Sequence, residues 1–285
     1  MFHYVTEDFN YYHFDKNKFE EFVKNLSLSN KIINLKKLKK LYQENEKIPD
    51  SYVMLTFDDG TIDHYKNVYP ILKKYNVPGV FFVCSNIVNK KNLNIQLIHQ
   101  ILSKCRIDDI YIELQNFIFE NNIELKDNCI VDKSSYDWKE IYVKKMIQTI
   151  LPEEYSNKIL NKLINKYNIP SDFEKLYMSI ENMLEMKANN MDFGCHTKSH
   201  KRLSYLTKDE QIDEIKENMQ ILFDNKIIDK YDVLSLAYPF GDYNTETIEI
   251  LKSLNYDFAF TTKEENVYKI SKYELPRIDC NVLKL

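Results

Sequence analysis

Asp58 and Asp59 stand side by side at the end of an apolar stretch, Met54-Leu55-Thr56-Phe57, and Gly60 follows them. Along an extended strand, neighbouring side chains point to opposite faces, so two adjacent carboxylates serve one pocket only where the strand has already broken into a turn. Gly60, which takes positive φ without steric cost, is expected to supply that break. The second cluster is His196-Thr197-Lys198-Ser199-His200. Two imidazoles four positions apart can reach one cation if the segment is helical or tightly turned. One carboxylate and two histidines make the open three-ligand site of a hydrolytic zinc centre, and a spare carboxylate beside it could accept a proton. Taken alone, Asp-Gly after an apolar run is also how an ordinary turn reads.

The elements that must position these residues alternate. Strand candidates lie at residues 1–5, 54–58, 79–84, 191–195, 233–238, 258–262 and 274–279, and the all-apolar run at 79–84 suits a parallel strand buried on both faces. Helical spacing appears at 16–28 (Phe19, Phe22, Val23, Leu26), 68–75 and 179–190. Thr207 with Glu210 forms a capping box that opens a helix bearing Ile212, Ile215, Met219 and Leu222 on one face; Asn244 caps another bearing Ile248, Leu251 and Leu254. The lysine run at 36–40 reads as a solvated helix face. Seven strands separated mostly by helices imply a parallel sheet with right-handed crossovers, doubly wound or rolled into an incomplete barrel. Asp58, Asp59, His196 and Phe240 all sit just after strands, where parallel α/β folds place their sites. From about 89 to 172 the chain turns to Lys, Asn, Glu and Ile at helical spacing, which predicts a mainly helical insertion. Its Trp138, the only tryptophan, reads as a packing residue.

Composition narrows the class. A length of 285 residues with 44% hydrophobic content supports a large core, and 39 basic against 43 acidic residues, dispersed, give a net charge of −4. Nothing there marks nucleic acid or an anionic membrane as a partner; a glycan or other neutral substrate fits better. The five cysteines (Cys84, Cys105, Cys129, Cys195, Cys280) form no CxxC pair and are odd in number, which points to reduced thiols and, with no signal-peptide pattern or membrane span, to the cytoplasm, a processed secreted chain being the other option.

Thr56-Phe57-Asp58-Asp59-Gly60, His196 to His200, and Ala237-Tyr238-Pro239-Phe240-Gly241 together resemble the first three motifs of the polysaccharide deacetylases with a NodB homology domain, carbohydrate esterase family 4. The resemblance extends to the Pro78-to-Val83 strand and to Leu275-Pro276-Arg277-Ile278. It implies a distorted (β/α)7 barrel that removes acetyl groups from glycans with one divalent metal, most often Zn2+, with Co2+, Mn2+ or Ni2+ as options. Carried over, Asp59, His196 and His200 are the metal ligands, Asp58 the general base, and Phe240 and Tyr238 the residues facing oxyanion and substrate.

Two positions depart from the pattern. Where the third motif carries an arginine that orients the catalytic carboxylate, this chain has Ala237; Arg277 is the candidate replacement, with a surface ion pair as its other reading. No histidine follows His200 to act as the acid that protonates the leaving amine. Met1-Phe2-His3 carries the apolar-x-His pattern instead, as in the poly-N-acetylglucosamine deacetylase branch, and in a closed barrel the first and last strands are neighbours; His64 is the second candidate. The expected function is therefore metal-dependent N-deacetylation of an amino sugar in a glycan or glycan precursor. Hydrolysis of another amide on the same fold, and a glycan-binding module without catalysis, are the competing readings; the sequence leaves the oligomeric state open.

Overall fold

The computed structural model describes residues 1–7, 12–29, 31–44, 48–49, 51–125, 131–263 and 271–282, which form two compact units. Residues 92–173 make up one; the segments on either side of them in the chain make up the other. Cys129 lies outside the described residues.

The larger unit is built on five parallel strands in chain order: β1 (Thr56–Asp58), β2 (Val80–Val83), β3 (Asp192–Cys195), β4 (Ser235–Ala237) and β5 (Phe258–Phe260). All are short, and every residue in them is buried except Asp192, which is half-buried. Strict chain order means that each crossover moves one strand further the same way, the topology that rolls a sheet toward a barrel.

Two of the seven expected strands are single rungs instead. Phe2 bridges Phe57 in parallel, and Leu275 bridges Phe260. The Met1 nitrogen then donates to the Ile278 carbonyl (2.8 Å), and the Cys280 amide donates to the Met1 carbonyl (3.0 Å). The first and last segments therefore meet and close the ring, as the distorted barrel requires. They do so over too few residues to form ladders.

Side-chain alternation sorts the strands into two faces. Phe2, Phe57, Phe81 and Phe193 stack in sequence, with ring centroids 5.4, 4.8 and 5.7 Å apart, and the buried Phe19 of the helix Lys16–Ser27 sets its edge against Phe2 and Phe57. The other face holds Val80, Phe82, Ala237, Phe258, Phe260 and Leu275, packed with Leu35 and Leu38. Leu35, Leu38 and Leu41 come from the helix Leu35–Gln43, so the lysine run forms the outer side of an amphipathic helix as expected. Asp58 is in register with Phe82, which places it on this inner face.

One helix departs from its expected orientation. In Lys208–Asp224 the capping box is present, but the buried face is Gln211, Glu214, Ile215, Asn218 and Leu222, while Ile212 and Met219 are half-buried. The three polar residues on the inward stripe are all hydrogen-bonded: Gln211 to the Leu206 carbonyl and the Thr247 hydroxyl, Glu214 to the Lys198–Ser199 segment, and Asn218 to the Val83 carbonyl.

The smaller unit is helical, from Asn94–Lys104, Ile107–Glu120, Trp138–Lys145 and Glu153–Tyr167. Its core includes Ile98, Ile101, Ile110, Leu114, Val143, Ile159 and Leu163. Trp138 packs edge-on against Tyr111 at 5.3 Å, with the Lys133 and Lys139 amines over its ring.

Candidate metal centre

β1 ends at Asp58, and the break expected at Gly60 begins one residue earlier, since Asp59 itself sits at φ 80° and Gly60 follows at φ 72°. That left-handed step leaves both carboxylates buried beside His196. β3 delivers His196, and the loop to His200 is an irregular turn with Thr197 at φ 63° and His200 at φ 62°. A β-branched residue at positive φ is a genuine outlier, and Phe240, whose ring touches His200, is left-handed too (φ 58°). Gly241 follows at φ 66°, where a Cβ would lie 2.1 Å from Thr262 Oγ1 and 2.8 Å from its backbone nitrogen, so no other residue fits without displacing the chain.

Several bonds hold the His196–His200 loop. The His200 amide donates to Thr197 Oγ1 (3.2 Å), the Ser199 amide to Glu214 Oε2 (2.9 Å), and the Lys198 amide to the Glu214 carbonyl (2.9 Å). Ser199 Oγ also donates to Glu214, and Asn218 Nδ2 ties the adjacent Val83 carbonyl (3.0 Å). Glu214 is nevertheless buried, at 5% exposure. No catalytic motif marks Glu214, but a pattern does: Gln211, Glu214 and Asn218 recur at helical spacing beside Ile215 and Leu222, a polar stripe that a solvated face would not align with the apolar one.

Asp59, His196 and His200 converge, each offering a ligand atom, all within 4.8 Å of one another. His196 Nε2 and His200 Nε2 lie 3.3 and 3.2 Å from Asp59 Oδ1. Those separations match the edge, roughly 3.4 Å, of a tetrahedron with metal–ligand bonds of about 2.1 Å. His196 Nδ1–H donates to the Ala237 carbonyl (2.7 Å), which leaves the Nε2 lone pair of the neutral ring facing the carboxylate. Both Asp59 oxygens and His196 Nε2 are buried and lack hydrogen-bond partners among the described residues. Buried lone pairs aimed at one another repel unless a cation stands between them, so the donor set fits a divalent metal. Burial opposes charge on Asp59, but the neighbouring His200 and His196 outweigh it and hold its carboxyl well below the usual range. Burial lowers the His200 imidazole, whereas at His196 Asp58 and Asp59 overcome burial and raise it.

Asp58, adjacent in sequence, is not among the converging ligands. Arg277 grips it with both arms, Nη1 to Oδ1 at 2.7 Å and Nη2 to Oδ2 at 2.8 Å, while Arg277 Nε donates to the Thr261 carbonyl at 3.2 Å. Both side chains are almost fully buried, so Arg277 is no surface ion pair. Against the upward push of burial, the guanidinium lowers the Asp58 pKa to about 2.

The remaining expected residues divide. The Phe240 ring lies edge-to-face on His200 (4.7 Å), with the Arg202 guanidinium 4.1 Å from the Phe240 centroid. The Tyr238 side chain is packed into the interior. It is fully buried, its ring stacks on Tyr243 (4.5 Å), and its hydroxyl donates to the Tyr273 carbonyl (2.8 Å), as a buried phenol must find a partner. His3 is half-buried; since Phe2 pairs with Phe57, His3 shares the inner face with Asp58. His64 is fully buried with its Nε2 on the His3 carbonyl (2.9 Å).

The family model for polysaccharide deacetylase matches residues 45–115 and 150–259, which contain all three metal-ligand candidates and Asp58. The chain belongs to the polysaccharide deacetylase family. Only 116–149, within the helical unit, fall between the matched segments. Among curated relatives, the poly-beta-1,6-N-acetyl-D-glucosamine N-deacetylase of Staphylococcus epidermidis is 37% identical over 82 residues, 28% of this chain and 27% of that protein. The enzyme of the same name from Staphylococcus aureus is 35% identical over 71 residues, 25% of this chain and 23% of that one. The matched stretch thus spans about a quarter of either relative. Two solved structures share the fold along nearly the whole chain. A Streptococcus pyogenes deacetylase, PplD, in complex with acetate has a TM-score of 0.60 at 19% identity, covering 98% of this chain and 89% of that one. IcaB from Ammonifex degensii has a TM-score of 0.58 at 16% identity, covering 97% and 88%.

Proposed function

We propose that this chain is a deacetylase that hydrolyses the N-acetyl group of an amino sugar in a glycan or glycan precursor. The observation that carries the reading is the division of labour between adjacent carboxylates: Asp59 is turned onto two histidines, and Asp58 is gripped by Arg277. The names of the curated relatives point the same way. Asp59, His196 and His200 would hold one divalent metal, zinc first among the candidates. Bound there, the metal would polarise the acetyl carbonyl and acidify a water molecule.

Asp58 then acts as the base. Its carboxyl is ionised throughout the neutral range, and the Arg277 fork fixes its orientation, so it is poised to take the proton of the attacking water. The backbone N–H of Phe240, in its strained left-handed turn, is the donor assigned to the developing oxyanion. His3, on the same face as Asp58, supplies the proton that the departing amine needs; a positioned acid contributes roughly 10²- to 10⁴-fold. Arg202, stacked on Phe240, fixes that ring against His200. We read the whole as a single deacetylase domain interrupted by the helical unit.

Acetate release from N-acetylglucosamine oligomers of β-1,4 and β-1,6 linkage, and from nucleotide-linked N-acetylhexosamines, with zinc or cobalt present, tests this. Release that disappears in Asp58→Asn is the expected result. No acetate from any of these substrates by metal-loaded wild-type protein would overturn it.

A further inference from the structure

Side chains from the stretch that follows the aspartate pair bond the backbone of the segment that carries His3. His64 Nε2–H donates to the His3 carbonyl at 2.9 Å, and Thr61 Oγ1 donates to the same oxygen at 3.3 Å. Two residues on, Asp63 Oδ2 accepts the Val5 amide at 2.7 Å and Asn67 Nδ2 donates to the Val5 carbonyl at 2.9 Å. On the strand side, the Phe2 amide donates to the Thr56 carbonyl and the Asp58 amide to the Phe2 carbonyl. The residue after Phe2 is thus fixed in height beside Asp58 by β1 on one flank and by the 61–67 segment on the other.

His64 is the unusual member. It is fully buried, opens a π-helical turn (His64–Val68), and lies 5.7 Å from the ring centroids of both Phe57 and Phe81. A carbonyl can only accept, so Nε2 carries the proton and Nδ1 keeps a lone pair, which has no partner among the described residues. Leaving that nitrogen unsatisfied is a cost to the fold. A phenylalanine would fill the same aromatic cage without the cost. What the imidazole adds is one donor, directed at the backbone of the residue proposed above as the acid.

We propose that His64 is a positioning residue for the deacetylation step: through the His3 carbonyl it sets the height of the His3 imidazole over the leaving nitrogen. This rests on the reading of His3 as the acid. A displacement of about 1 Å at a reacting group is enough to cost on the order of a hundredfold. An amine must be protonated to leave, whereas a nitrophenolate leaves unaided, so an acid that has lost its position penalises amide hydrolysis and spares aryl ester hydrolysis.

The test is the ratio of acetate release from N-acetylglucosamine oligomers to hydrolysis of 4-nitrophenyl acetate by the zinc-loaded 285-residue chain. In His64→Phe the ratio falls by roughly ten- to a hundredfold through kcat, His64→Gln, which keeps a donor, recovers part of it, and His3→Ala with His64→Phe together are no worse than His3→Ala alone. Wild-type protein that cleaves the ester but none of the oligomers would sink the functional reading and not this one in particular. A wild-type ratio in His64→Phe, or parallel loss of both activities there and in Thr61→Val, which removes the other donor to the same oxygen, would overturn the positioning role.

Discussion

Replacing Arg277 by Met removes a guanidinium whose two arms are both committed to Asp58, at 2.7 and 2.8 Å, in surroundings where neither partner reaches bulk water. Breaking a buried pair from one side leaves an uncompensated charge and costs on the order of 3–5 kcal/mol. The melting temperature should fall by roughly 6–10 °C, at about 2 °C per kcal/mol for a chain of this size. The catalytic effect has a separate cause. Without the guanidinium, burial is left to act on Asp58, so its carboxyl rises from about 2 and it stays protonated further into the working range, where it cannot accept a proton. Turnover should drop on the order of 10²- to 10⁴-fold, with an acid limb shifted upward in the pH–rate profile, while zinc affinity holds within a few-fold because Asp59, His196 and His200 keep their own supports. Acetate release, thermal denaturation and zinc titration on one preparation separate the three effects. Adding Asp58→Asn to Arg277→Met should recover part of the lost stability but none of the activity, since the destabilising element is the lone charge. Wild-type turnover in Arg277→Met, or a double variant less stable than the single one, would refute the reasoning.

The same pair sets an acid limit on stability. Asp58 has a lower pKa folded, about 2, than its ordinary value of 3.8, so its contribution, about 2 kcal/mol, is present above about pH 4 and is lost as pH falls toward 2; Asp58→Asn should flatten denaturant-measured stability over that window. Gly241→Ala places a Cβ 2.1 Å from Thr262 Oγ1 at φ 66°, and a loss on the order of 1–3 kcal/mol, read by urea titration, should accompany reduced turnover because the adjacent Phe240 turn must shift. Burial pushes the Cys195 and Cys280 thiols up to about 12 and raises Cys84 well above its ordinary value, so in native protein at pH 8 iodoacetamide followed by peptide mapping should find Cys105 alkylated well before those three.

How much of this was legible in the sequence depends on whether residue type or direction is at issue. Asp58-Asp59-Gly60 and the His196/His200 pair could be read as a metal site because carboxylate and imidazole chemistry is carried by type and spacing, and their places after strands follow from alternation of apolar runs with helices. Direction beyond a strand end could not be read. Period-2 alternation stops there, which is why the break expected at Gly60 begins at Asp59, and why the direction of Tyr238, expected near the substrate from the resemblance alone, could not be read from its neighbours. The first and last strands read as full strands from their apolar content, yet each meets the sheet over a single rung, Phe2 on Phe57 and Leu275 on Phe260. Arg277 was reachable only by noticing a missing arginine at Ala237, since nothing local links it to an aspartate 219 positions away. Glu214 and His64 had weaker signals: a polar residue on a helix's apolar stripe, and a histidine just past the aspartates whose role is spent on a backbone carbonyl.

Calorimetric titration of zinc into metal-stripped protein tests the central claim most directly. One zinc per chain in the wild type, retained in Arg277→Met and abolished in both Asp59→Ala and His196→Ala, is the predicted result. A wild-type chain that takes up no divalent ion, or one that binds it equally well without Asp59 and His196, would contradict it.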